Sequence, residues 1–376
     1  MLIYWIWLAT RPGMTAWEKQ VALAHFGSPE DCYFAKEYAH IEELSETAVA
    51  SLCDKDIQEA ESILAACAKK KVHILTWQDA RYPAALKNIS DPPMILYYRG
   101  TLPEWNTTAC IGVVGTRKAS AYGLKLAETV SKQLAGCGGI VVSGMAEGID
   151  AMATRGALSQ GKPVVGVLGC GVDVVYPRCN RELFLKMERQ GCLISEYPPE
   201  TKPAKWNFPK RNRIISGLSC GVLVVEAPAK SGALITARQA LEQGRDVFVT
   251  PGNVGIASCE GSNGLLREGA IMVTSGWDIL SEYAHRYPGK IREAAVTSDK
   301  KSIDNPAAQP YIDLKTKAAD TPDQAILACL EDGEQLIDTI IAKTGLTSGA
   351  VLAALTLLEV TGEVVTRPGG WVAKNL

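Results

Sequence analysis

From residue 110 to residue 273 the chain alternates short apolar runs with helical stretches, and few architectures accept that pattern. The runs lie at 110–114, 140–142, 164–168, 192–195, 222–225, 247–249 and 271–273. The helical stretches between them lie at 122–134, 151–158, 181–189, 210–216, 233–242 and 262–267. Runs that are apolar throughout suit strands buried on both faces, and strand–helix alternation winds them into a parallel sheet. The expected fold is therefore α/β, a doubly wound and mostly parallel sheet. Glycine and serine cluster just after the runs, at the strand ends where such sheets bind ligands.

The flanks read differently. Residues 1–80 form short helices, among them 17–25, 29–38 and 54–70, with Ile57, Ile63 and Leu64 at helical spacing. Residues 1–8 are apolar and aromatic but lack a basic start, and Arg11-Pro12-Gly13 interrupts them. They read as the first element of a folded domain and not as a secretory signal. Prolines at 83, 92 and 93 punctuate a connector before a strand at 94–98. Residues 286–320, rich in Lys, Asp, Ala and Pro, read as a flexible linker. Helices at 322–331, 334–343 and 348–361, then two short strands around Arg367-Pro368-Gly369-Gly370, read as a winged helix. The expected division is a helical module of the SAM or helix-hairpin-helix kind (1–80), the α/β domain (81–285), the linker (286–320) and the winged helix (321–376).

Charge narrows the function. The net formal charge is −2, yet residues 111–285 hold 19 basic against 15 acidic side chains while residues 321–376 hold 3 against 7. A local basic patch on the middle domain fits phosphates, and a uniformly basic surface is excluded. The presumptive recognition helix of the winged helix has Glu359 as its one charge, so a protein contact suits it better than duplex DNA. Eleven scattered cysteines without a CxxC pair, and four histidines without ligand spacing, give no disulfide framework or metal site and fit a reducing cytoplasm. No apolar run is long enough to span a membrane.

Several strand-end segments carry chemistry. In Gly112-Val-Val-Gly115-Thr116-Arg117, Gly115 permits a tight turn, the following helix start offers N–H groups to an anion, and Arg117 adds a phosphate donor. Ser143-Gly144-Met-Ala-Glu-Gly148-Ile-Asp150 is a second such turn, with Asp150 suited to capping a helix. Arg178 and Arg181 follow Tyr176-Pro177. In Trp206-Asn-Phe208-Pro209-Lys210-Arg211-Asn212-Arg213 the cations crowd the positive end of a helix, which is unfavourable unless an anion binds there. Trp206 and Phe208 are either core residues or platforms for bases. Glu226 fits two roles, a general acid/base or an anchor for Arg211 or Arg213. No serine or cysteine in these turns has an evident base partner, so catalytic residues and cofactors are not expected.

Together GVVGTRKASAYG, SGMAEGIDAMATRGAL, YPRCN, SEYPP, FPKRNRIISGL, VVEA…SGALIT and PGN…GSN resemble the DNA-processing protein A (DprA, or Smf) family over about residues 80–285. The resemblance implies an extended Rossmann-like fold and a non-enzymatic single-stranded DNA-binding protein that forms homodimers through that Rossmann-like domain. It implies protection of incoming strands and loading of the recombinase RecA during natural transformation. It places Gly115, Thr116, Arg117, Ser143, Gly144, Gly148, Lys210, Arg211, Asn212 and Arg213 in a basic pocket, with Arg178 beside them. Thr154 stands where the family usually has His. Two other readings fit the same fold. One is a nucleoside-monophosphate phosphoribohydrolase, although Gln239 stands where its acid belongs; the other is a nucleotide sensor.

Overall fold

The computed structural model describes residues 1–293, 322–330, 333–367 and 370–375. The chain divides into two compact units, Met1–Val296 and Thr297–Leu376. The first unit opens with helices α1 (Leu2–Thr10), α2 (Ala16–Phe26), α3 (Pro29–Phe34), α4 (Glu46–Cys53) and α5 (Gln58–Lys70). Then come β1 (His73–Thr76), α6 (Ala84–Lys87), β2 (Ile95–Gly100), β3 (Cys110–Val114), α7 (Ala121–Gly136), β4 (Ile140–Ser143), α8 (Ile149–Leu158) and β5 (Val164–Val167). The unit continues with α9 (Arg181–Gln190), β6 (Cys192–Ser195), α10 (Asn207–Leu218), β7 (Gly221–Val224), α11 (Gly232–Glu242), β8 (Asp246–Val249), α12 (Glu260–Arg267), β9 (Ile271–Met272) and α13 (Gly276–Ser281).

The nine strands form one sheet in the order β1-β2-β6-β5-β4-β3-β7-β8-β9. Strands β1 and β2 pair antiparallel, as do β2 and β6, and every other pairing is parallel. Alternation along β3 explains why its sequence is apolar throughout. Ile111 and Val113 enter the core beneath α7 and α8, while Cys110 and Val114 enter the core beneath α10 and α11. Gly112 faces α10, where a Cβ would meet Ile215 and Ser219. The strand order reverses at β3, which has β4 on one side and β7 on the other. The crevice beyond the carboxyl ends of β3 and β7 is thus a topological switch point, the usual ligand position in open α/β sheets.

Two expected boundaries move. The chain does not divide at residue 80, because β1 is the sheet's outer strand and Trp7 and Leu8 of α1 share a core with Ile95 and Tyr97. Helix α1 is apolar around its circumference because its neighbours cover it. The expected linker also begins too early. Ile291 is buried and the amide of Arg292 donates to the Cys137 carbonyl, so residues 286–293 still belong to the first unit. The remainder of that linker, 294–320, lies outside the described residues.

The second unit holds α14 (Pro322–Cys329), β10 (Gln335–Leu336), α15 (Ile337–Thr344), α16 (Ser348–Val360), β11 (Val364–Arg367) and β12 (Trp371–Lys374). Its small sheet runs β10-β12-β11, and Ile326, Ile340, Val351, Leu355 and Val372 share a core. The arrangement is a winged helix. The outer face of α16 carries Leu352, Leu357 and Val360, all exposed.

Candidate nucleic-acid interface

Four segments meet at the switch point: the β3–α7 loop, the β4–α8 loop, the start of α10 and the start of α11. They line an open cleft of about 810 Å³. The β3–α7 loop is fixed from below. Thr116 N–H donates to the Glu226 carbonyl at 2.7 Å, and Ile149 N–H donates to the Thr116 carbonyl at 3.2 Å. The Glu226 carboxylate accepts from Ser120 N–H at 3.1 Å and from Ser120 Oγ at 2.8 Å, while Ser120 Oγ caps α7 by accepting from Gly123 N–H. A Cβ on Gly123 would stand 1.9 Å from Glu226 Oε2, so a larger residue there would displace the carboxylate from Ser120. Glu226 therefore anchors a loop; it pairs with neither Arg211 nor Arg213. With the backbone tied down, the side chain of Arg117 is left exposed at the cleft mouth.

The β4–α8 loop is equally constrained. Asp150 does not cap α8, whose N-cap is Gly148; its carboxylate instead accepts from Gly144 N–H at 3.1 Å and Ala146 N–H at 3.4 Å. Met145 holds a left-handed backbone (φ 58°), and Asn180 Nδ2 donates to the carbonyls of Met145 and Ala146. Gly148 lies against the first loop, where a Cβ would stand 2.4 Å from the Thr116 carbonyl oxygen. Thr154 is buried one turn along α8 and donates to the Asp150 carbonyl.

Helix α10 sorts its cations by face. Arg211 is 4% exposed; Nη1 donates to the carbonyls of Gly144 (2.8 Å) and Val167, and Nε donates to Asn212 Oδ1 at 3.2 Å. Burial pushes the Arg211 guanidinium down to about 10, with Asp150 opposing, so it stays charged at neutral pH. Burial likewise raises the Asp150 carboxyl, against the pull of Arg211 and of the two amides. Asn212 Nδ2 donates to the Gly232 carbonyl at the start of α11. The Phe208 ring has two guanidinium groups near it, Arg117 at 5.6 Å and Arg211 at 5.9 Å, and Tyr176 lies 5.3 Å away at 30°.

The structure does not bring all the expected pocket residues together. Gly115, Thr116, Arg117, Arg211 and Asn212 line the cleft; Gly144 lines its inner lobe with Arg117 and Arg211, and Gly148 supports the loop from behind. Arg213 points the other way, with Nε 2.7 Å from Asp91 and Nη2 2.6 Å from Glu196. Lys210, one helical turn before it, also faces away, toward a second cavity lined by Asp91, Glu196 and Tyr197. Ser143 is fully buried and donates to the Val113 carbonyl. Arg178 is exposed and outside the cleft lining. Three lysines that sequence reasoning passed over, Lys118, Lys205 and Lys230, do line the cleft. With Arg117 and Arg211 they make five cations, against Asp150 as the acidic residue in that lining. Such a surface suits a polyanion that also offers a flat apolar face to Phe208.

Comparison with known proteins gives the same direction. The family model described as DNA recombination-mediator protein A matches residues 73–284, and that described as the DprA winged helix domain matches residues 306–370. Protein Smf of Synechocystis is 36% identical over 322 residues, 80% of each chain. DNA processing protein DprA of Bacillus subtilis is 42% identical over 224 residues, 60% of this chain and 75% of that one. Among solved structures, DNA processing protein A from Streptococcus pneumoniae superposes with TM-score 0.65 at 34% identity, over 75% of this chain and 98% of that one. A Helicobacter pylori structure described for its single-stranded DNA binding mode gives TM-score 0.53 at 28% identity, over 58% and 99%.

Proposed function

This chain belongs to the DNA recombination-mediator protein A family, and from that premise we propose that it binds single-stranded DNA in the switch-point cleft and hands the strand to the recombinase RecA. The observation that carries the reading is Phe208 in a cleft lined by five cations, with the guanidinium groups of Arg117 and Arg211 within 6 Å of its ring. Phosphates fall to Arg117, Lys118, Lys205 and Lys230, and one unstacked base lies on Phe208. Arg211 acts from beneath: it holds the Gly144 carbonyl and supplies a fixed positive charge to the cleft floor. A paired base is not free to reach a recessed aromatic, so this geometry selects single strands over duplex. The H. pylori relative's description as a single-strand binder supports the same ligand here.

The role is binding and delivery rather than turnover. Of the two buried carboxylates at the cleft, Glu226 is committed to Ser120 and Asp150 to the amides of Gly144 and Ala146. Gln239, where a phosphoribohydrolase would need an acid, donates to the Pro209 carbonyl. We place the protein in the cytoplasm, in keeping with its eleven free cysteines. Among the described residues no single helix is long and apolar enough to cross a membrane. Homodimerisation falls to the sheet edge, where β9 exposes Ile271 and Met272. The test is fluorescence anisotropy with a labelled oligo-dT of about 20 nucleotides against a duplex of equal length. Tight, salt-sensitive binding to the single strand with weak duplex binding is expected. Equal affinity for both would refute the stacking geometry, and no binding at low salt would refute the ligand.

A further inference from the structure

Trp206 is 78% exposed, although tryptophan has more apolar surface to hide than any other side chain. It occupies the N-cap of α10 without a side-chain capping bond, two positions before Phe208, and lines neither the cleft nor the second cavity. Lys202, Lys205 and Lys210 around it are all exposed, and residues 201–210 contain no acidic side chain. Lys205 lines the cleft on one side of α10; Lys210 lines the second cavity on the other. The carboxylate nearest Lys210, Glu196, stands 4.0 Å away and is held by Arg213 at 2.6 Å.

We infer that Trp206 is a second stacking platform, which carries a single strand out of the cleft, over the start of α10, and toward Lys210. This rests on the cleft reading and extends it: the ligand is the continuation of the same strand, with a base on the indole and flanking phosphates on Lys202 and Lys210. The indole accepts any base, so the subsite lengthens the footprint without adding sequence preference. A second copy of this chain is a poor occupant, because self-association here would bring the same lysines face to face. The arrangement also gives Lys210 a role on the face of α10 that turns away from the cleft.

The full-length chain is titrated by anisotropy with labelled dT of about 6 and about 20 nucleotides, lengths chosen to occupy the cleft alone or to pass beyond it. Trp206→Ala should weaken the longer oligonucleotide about ten-fold and leave the shorter one within about two-fold, and Trp206→Tyr should restore most of the loss. Lys210→Ala should flatten the salt dependence by about 0.7 for the longer oligonucleotide only. Wild-type affinity of Trp206→Ala for both lengths overturns the subsite; equal weakening at both lengths overturns it too, since the indole would then act within the cleft. Arg117→Ala separates the two readings. If it weakens both lengths while Trp206→Ala changes neither, the cleft stands and the extension falls. If Arg117→Ala changes neither length, the cleft reading has failed.

Discussion

Cations of similar appearance in the run 210–213 have unlike fates, and helical geometry explains why. Arg211 and Asn212 share the face of Phe208, whereas Lys210 and Arg213 share the opposite face. The spacing alone groups these residues correctly but does not say which face meets the cleft. That depends on Asp91 and Glu196, which are distant in sequence and arrive with β2 and β6. Lone lysines such as Lys118, Lys205 and Lys230 have no spacing signature, so nothing in the sequence marked them; Arg117 was legible because it follows a strand-end glycine. Arg213→Ala should therefore act on stability. Loss of the buried guanidinium strands Glu196 and should cost about 2 kcal/mol, less than for a fully buried pair because Asp91 is 45% exposed. Thermal unfolding should show the drop while the salt dependence of DNA binding keeps its slope. A flattened slope instead would return Arg213 to the binding surface.

At the scale of elements, the parallel strands were the most legible part of the chain. The runs at 110–114 and 192–195 coincide with β3 and β6, because a strand buried on both faces leaves an unbroken apolar signature. Strand β1 left none, since it is a short outer strand whose first residue, His73, is exposed. Among the N-terminal helices one carboxylate couples two elements. Glu18 closes the capping box of α2 with Thr15 and also accepts from the backbone and hydroxyl of Ser45, the N-cap of α4. Burial raises its carboxyl, but the hydrogen bonds from Ser45 and Thr15 outweigh burial and hold it down at about 2. A folded-state value below the ordinary one means the stabilisation is complete above about pH 4.5 and is lost as the pH falls toward 2. Glu18→Gln should lower stability by about 1–2 kcal/mol at pH 7, and the gap from wild type should close in acid. A gap independent of pH would show that shape, not charge, holds the two helices.

For the whole molecule, the order of units along the chain was legible and the seams were not. Contiguous cores set the seams: α1 packs on β2, and Ile291 tucks back onto the first unit. The cleft lies wholly within that unit. The same sheet ends in a two-residue strand with Ile271 and Met272 exposed, an edge open to pairing. If the proposed dimer forms through this edge, Met272→Asp should yield a monomer by light scattering and leave the affinity for a short oligonucleotide intact; a dimer that persists would move the interface elsewhere. The central claim, that the strand lies along Arg117 and Lys205 around Phe208, is tested most directly by the salt dependence of binding. The slope of log K against log salt for a labelled dT of about 20 nucleotides is compared between wild type and the double variant Arg117→Ala/Lys205→Ala. Loss of two phosphate contacts should flatten the slope by about 1.4, with weaker binding at low salt. An unchanged slope and affinity would mean that the strand binds elsewhere on the protein.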